Sequence, residues 1–248
     1  MALYCYIKKT AYYSPETELI KAKNKKKFLA FGVFILGIFF LGNVIYPIIS
    51  YQLFISPKFS KVLLSPTTEL EQHQSFSSSS VVLGQEIDLV DFTQAKNWFP
   101  EAETSLTKTD KKYYELSIPK LKIENALVAI NGEDLKNSLV QFPGTALPGR
   151  FGNTVIFGHS VLPQFFNPKN YLTIFSTLPT LSPNDEIIAI YDNVRYKFVV
   201  EKMIEVLPTD VSILAQRYDD SYLTLITCVP PGTYLKRLIV RARLANFK

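Results

Sequence analysis

Two cysteines, two histidines and one tryptophan are all that the 248 residues contain of these types. Cys5 and Cys228 lie on either side of the long apolar run described below, so an intramolecular disulfide is excluded if that run crosses a membrane. Cys228 is then an unpaired thiol in a region facing out of the cell, where oxidation threatens it. No internal repeat occurs, and no block has the composition of collagen or of a wholly disordered chain. No acidic cluster is dense enough for calcium: Asp185-Glu186 and Asp219-Asp220 read as turn charges beside strands. Neither a metal nor a cofactor is expected.

Charge is absent from Phe28 to Pro57, and Phe28 to Ile49 (FLAFGVFILGIFFLGNVIYPII) is almost continuously apolar. About 20 such residues span a bilayer as a helix. The net charge of +5 does not signal nucleic-acid binding. Seven of the 27 basic residues and two of the 22 acidic ones fall in residues 1–27, which therefore carry the whole excess. Lys23, Lys25, Lys26 and Lys27 abut the apolar run and place that side in the cytoplasm by the positive-inside rule. A cleavable signal peptide has a shorter apolar region and a small-x-small exit, neither of which is found here. The expected organisation is a basic cytoplasmic tail (1–27), a transmembrane anchor (28–51), an extracytoplasmic stalk (52–112) and a catalytic domain (113–248). The stalk holds Ser77-Ser78-Ser79-Ser80 and His73, a solvated linker residue on this reading, with a short helix possible near Gln94 to Phe99.

From Tyr113 onward, short runs rich in Val, Ile, Leu, Tyr and Phe read as strands: Tyr114–Ile118, Ala126–Ile130, Asn153–Gly158, Glu186–Tyr191, Val194–Ile204, Tyr222–Thr227 and Leu235–Leu244. Asp192-Asn193 joins two of them as a tight hairpin. Glu133–Val140, Tyr171–Thr177 and Val211–Arg217 read as short helices, too short for repeated βαβ crossovers. The fold expectation is mainly β: a closed barrel with a few short helices, preceded by one transmembrane helix. In the last strand Leu238, Val240, Ala242 and Leu244 point to the core. Arg237, Ile239, Arg241 and Arg243 form a basic face open to water or ligand.

Cysteine acyl transfer needs a thiol able to ionise, a proton carrier and a cation or N–H donors for the developing oxyanion. Cys228 ends the strand Thr224-Leu225-Ile226-Thr227-Cys228 and runs into Val229-Pro230-Pro231-Gly232, a rim position; alone, it is equally compatible with a buried structural thiol. His159 closes Thr154-Val155-Ile156-Phe157-Gly158 and is the one histidine of the outward domain proper. Arg237 follows Cys228 after a short loop, so a hairpin would set it beside the thiol. Arg241, about 13 Å further along the strand, could not serve the same oxyanion.

Thr224 to Cys228 resembles the Thr-Leu-x-Thr-Cys signature of the sortases, membrane-anchored cysteine transpeptidases. Arg237 in Arg-Leu-Ile-Val, Asn153 to His159, Ser117-Ile118-Pro119-Lys120 and Phe142-Pro143-Gly144-Thr145-Ala146-Leu147-Pro148-Gly149 are similar to further family segments in the same order. The likeness covers about Tyr113 to Leu244. The subclass stays open, with classes D and E the nearest. The resemblance implies a sortase barrel in which Cys228 attacks between Thr and Gly of a Leu-Pro-x-Thr-Gly-like sorting signal, forming a thioester. His159 would move the protons, Arg237 would hold substrate and oxyanion, and Thr227 would help to bind substrate. The implied partners are surface-protein sorting signals and an amine acceptor from a peptidoglycan precursor or a pilin. Ser160 departs from relatives that carry another residue after the histidine, and the short loops argue against a large lid. Two alternatives stay open: a cysteine hydrolase on the same scaffold, and a non-catalytic tethered barrel that binds envelope polymers.

Overall fold

A computed structural model describes residues 15–59, 91–99 and 105–245, with the side chains of 15–26 left aside. His73, the serine run and Cys5 lie outside the described residues. The chain divides into two compact units at Tyr46/Pro47. In the first, helix α1 (Pro15–Ser50) begins; its residues 28–46 are exposed all round, and one described helix is long and apolar enough to cross a membrane. A helix that is apolar on every side and unburied by protein is suited to lipid.

In the second unit eight strands close a barrel in the order β1-β2-β3-β4-β7-β8-β6-β5. They are β1 (Tyr113–Ile118), β2 (Ile123–Ile130), β3 (Leu139–Gln141), β4 (Gly152–Phe157), β5 (Glu186–Tyr191), β6 (Val194–Val206), β7 (Ser221–Val229) and β8 (Lys236–Leu244). Closure removes free sheet edges. The hairpin at Asp192-Asn193 forms as expected, both residues taking positive φ (51° and 62°), the conformation of a type I′ turn.

The stretch 133–140 is not helical. It carries an isolated bridge at Asp134 and then β3, which pairs parallel with β2 and antiparallel with β4. Three residues are too few to display a period, and all three are buried. Of the other expected helices, 171–177 is a series of turns, and Val211–Leu214 is a single 3-10 turn whose preceding residue, Asp210, accepts from the Ser212 amide.

Two apolar clusters form on opposite faces of the sheet. Leu238, Val240 and Ala242 of β8 join Leu223 and Leu225 of β7 in the barrel interior. Ile226, Cys228 and Ile239 face outward into a second cluster with Trp98, Phe99, Phe142, Phe157 and Ile213. Strand β7 is consequently buried at all nine positions, which is why its sequence does not alternate.

Parts of the expected stalk are packed. Residues 51–55 form a π turn and 56–58 a 3-10 turn. Tyr51 Oη and Ser56 Oγ donate to the two oxygens of Glu205 (2.7 and 2.9 Å), and Lys236 Nζ pairs with the same carboxylate at 3.0 Å. Glu205 is only 9% exposed on its side chain, so each donor offsets desolvation of a nearly buried charge. Removing the phenol, Tyr51→Phe, is expected to destabilise the chain by about 1 kcal/mol, and Glu205→Ala by about 2–3 kcal/mol because Lys236 and two hydroxyls lose their acceptor. Denaturant unfolding of the detergent-solubilised full chain measures both, and equal stability of all three proteins refutes the clamp.

Candidate active site

Register places the candidate residues. Parallel pairing of β4 with β7 sets Phe157 beside Ile226, and antiparallel pairing of β7 with β8 sets Ile226 beside Ile239 and Cys228 beside Arg237. Directly paired residues share a face with Cβ atoms about 4.5–5.5 Å apart. His159 lies two residues beyond Phe157, as Cys228 lies two beyond Ile226. Gly158 N donates to Ile226 O at 3.1 Å, and Ser160 Oγ donates to Cys228 O at 2.7 Å, so the segment after β4 stays beside β7 past the last strand pair. The Trp98 ring then bridges the two sides: it meets the His159 ring edge-on at 5.7 Å, and the Arg237 guanidinium lies 5.3 Å from its centroid. Thiol, imidazole and guanidinium thus gather on the outer face at the end of β7.

All three are buried: Cys228 and Arg237 are each 1% exposed and His159 6%. The expectation of an open basic face therefore fails at Arg237 and Ile239, and the cover comes from 91–99, within the segment before the barrel whose fold the sequence left open. These residues lie across the site. Ala95 N donates to Glu133 O and Leu135 N to Thr93 O (2.8 and 2.9 Å), docking the segment to the turn before β3. Trp98 stacks on Phe157 with centroids 5.3 Å apart and donates from Nε1 to Phe92 O. Phe92 stacks on Tyr234 of the β7–β8 loop. The lone tryptophan, set between Phe92 and Phe99 in an otherwise polar stretch, was the sequence signal for this cap.

Arg237 has no carboxylate partner among the described residues. Its Nη1 donates to Tyr234 O and Lys236 O, its Nη2 to Trp98 O at 3.4 Å, and its Nε is buried without a partner. His159 Nε2 is likewise buried and unpartnered. Buried polar groups are nearly always paired; these are two of eight unpartnered buried side-chain atoms among the described residues, and they are the two beside the thiol. Thr227 lies on the other face of β7 from Cys228, and its hydroxyl donates to Gly158 O at 2.8 Å. That hydroxyl steadies the approach to His159 from the face opposite the thiol. Asp185 is engaged by Lys120, and Asp219 by Arg217.

Burial pushes the Cys228 thiol up to about 11, with Arg237 pulling it back down. Burial also lowers His159, against a weaker pull upward from Asp91 and Asp134. The capped site therefore holds a neutral thiol beside a neutral imidazole at pH 7. Because the closed form binds the thiol proton more tightly than an open one, closure is fully favoured below the open-site value and loses favour as pH rises toward about 11. Alkylation of Cys228 by a small thiol reagent is expected to be slow at pH 7 and to climb roughly tenfold per pH unit. Trp98→Ala should speed it on the order of 100-fold at pH 7 by returning the thiol toward an ordinary value near 8.5. Identical rate–pH profiles for wild type and variant would rule out the cap as the cause.

Residues 116–245, just over half the chain, match the sortase domain family. Solved structures similar to this chain include a Clostridium perfringens sortase D5 transpeptidase, with 25% identity over 57% of this chain and 83% of that one at a TM-score of 0.47. A lid mutant of Corynebacterium diphtheriae sortase A has 27% identity, covering 62% and 77%, at 0.48. Sortase C-1 from Actinomyces oris has 21% identity, covering 62% and 94%, at 0.50, and shows the shared fold. A comparison with curated proteins finds no match. The barrel, its strand order and the family match over its length together establish that this chain belongs to the sortase family of cysteine transpeptidases.

Proposed function

We propose that the chain is a membrane-anchored transpeptidase that cleaves a Leu-Pro-x-Thr-Gly-like sorting signal between Thr and Gly. It joins the Thr carbonyl to an amine of a peptidoglycan precursor or a pilin. The observation that carries this reading is the direct pairing of Cys228 with Arg237 beside an imidazole whose Nε2 has no partner. In the reactive form the thiol proton resides on His159, and Sγ attacks the Thr carbonyl carbon. Arg237, whose Nε–H is uncommitted, donates to the oxyanion as it forms. The C–N bond to Gly breaks, His159 passes its proton to the departing amine, and a thioester remains on Cys228. An incoming amine attacks that thioester and gives a proton to His159, the C–S bond breaks, and the released Cys228 thiolate beside protonated His159 restores the reactive form.

Substrate reaches the thiol only when residues 91–99 move aside. The basic tail 1–27 stays in the cytoplasm, Phe28 to Ile49 crosses the membrane, and the barrel stands outside. The apolar, lysine-flanked helix supports this topology.

The test is mass spectrometry of the full chain with sorting peptides, with and without an oligoglycine acceptor. Wild type should gain the acyl mass on Cys228 and release the amide product. Cys228→Ala should yield neither. His159→Ala should lose about 10²–10⁴-fold in rate and Arg237→Gln about 10²–10³-fold. Release of free acid alone in the presence of acceptor identifies a hydrolase instead. Unaltered Cys228 across the peptide panel, with cell-wall attachment unchanged in Cys228→Ala, would leave the non-catalytic barrel as the surviving reading.

A further inference from the structure

Away from the active site, a groove of about 540 Å³ is lined by Ile55, Lys58 and Phe59, by residues 179–183, and by Glu201, Lys202 and Met203. Its floor is apolar: Phe59, Leu181 and Met203 are buried. Its rim carries two exposed ammonium groups, Lys58 and Lys202, and neither has an ion pair among the described residues. The acid in the lining, Glu201, is engaged by Arg243 at 3.3 Å. Nearby Asp185 is engaged by Lys120, and Arg241, directly across from Lys202, also lacks a carboxylate partner. The groove is thus amphiphilic and locally positive.

Its position adds a second constraint. At 1.5 Å per residue, about 20 residues from Phe28 cross a hydrocarbon core of about 30 Å, which brings the chain out near Pro47. Residues 51–59 follow that exit directly in the chain, and among them Leu53 and Phe54 are exposed (63% and 69%). Trough and membrane surface share one short stretch of chain.

We propose that this groove is a binding site for the phosphate headgroup of an anionic membrane phospholipid. Lys58 and Lys202 contact the phosphate, and Ile55, Phe59 and Met203 receive the glycerol and upper acyl carbons. The apolar floor favours an amphiphile over a free anion, and two unpaired ammoniums favour a negative headgroup over a zwitterionic one. The inference rests on Phe28 to Ile49 spanning the membrane, not on the transfer chemistry.

The full chain is reconstituted into phosphatidylglycerol vesicles, into phosphatidylcholine vesicles, and into the latter with added glycerol phosphate. Flotation reports insertion, and mass spectrometry follows lysine acetylation. Lys202, which the barrel contributes, should be acetylated at least fivefold more slowly in phosphatidylglycerol than in phosphatidylcholine. Exposed Lys122 should be unaffected, and Lys58→Gln should relieve most of the protection at Lys202. Equal rates at Lys202, or equal slowing of Lys202 and Lys122, would overturn the site in favour of no binding or of general surface attraction. The same protection by soluble glycerol phosphate would overturn the lipid as occupant. A chain that fails to float overturns the membrane span and this site with it, whatever the thiol does with sorting peptides.

Discussion

A guanidinium sealed from water, with no carboxylate partner among the described residues, is the constraint around which this barrel is arranged. Burying an isolated charge costs several kcal/mol unless dipoles or rings replace the lost hydration. Arg237 meets that demand with carbonyls of Tyr234, Lys236 and Trp98 and with the faces of Phe92, Trp98 and Phe99. The carbonyls satisfy part of the fork and the rings supply a cation–π environment. Burial pulls the group below its ordinary value, and the Cys228 sulfur raises it again. Cysteine and arginine therefore favour each other's charged forms, but burial outweighs that pull at Cys228 and keeps the capped thiol protonated at pH 7.

The same residue connects the site to the chain's membrane-proximal segment. Lys236, whose carbonyl holds Arg237, is itself held by Glu205, and Glu205 is held by Tyr51 and Ser56. A displacement of the 51–56 turns is felt at the first residue of β8, one peptide away from the guanidinium. Such a link requires no movable part. It connects the start of β8, and the carbonyl that holds Arg237, to residues that precede the barrel by more than fifty positions.

How much of this was readable in the sequence varies with the number of faces each element buries. β8 alternates cleanly between Leu238, Val240 and Ala242 inside and Arg237, Arg241 and Arg243 outside, and its orientation was legible. The outer face of Arg237 and Ile239 was misread as open because the residues that cover it come from 91–99, a stretch without periodicity. The β5–β6 turn was legible because Asp192-Asn193 is a local signal, whereas β3 was not, since three residues between β2 and β4 carry no local signal at all. Cys228 and His159 were found as strand ends next to glycine and proline. Their pairing needed the parallel register of β4 with β7, a property of two segments about seventy residues apart. Thr227 entered the reading through its adjacency to the thiol, and the strand turns its side chain to the face opposite Cys228.

The cap and the chemistry are compatible only if the segment 91–99 is held weakly. Its polar attachment to the barrel consists of a few backbone bonds, each worth about 0.5–1.5 kcal/mol net, and its ion pair, Lys96 with Glu133, spans 3.9 Å between mostly exposed side chains, which contributes little. The stronger hold is aromatic: Trp98 against Phe157, and Phe92 against Tyr234. That hold is nonspecific in the sense that any apolar side chain laid on Phe157 recovers much of it. A ligand that lays an apolar side chain on Phe157 and a backbone carbonyl against the Arg237 Nε–H would replace the Trp98 stacking and the Trp98 carbonyl. It would also satisfy the two polar atoms that the cap leaves orphaned. Such a ligand would trade apolar contact for apolar contact and add hydrogen bonds at the two atoms that the cap leaves unpaired.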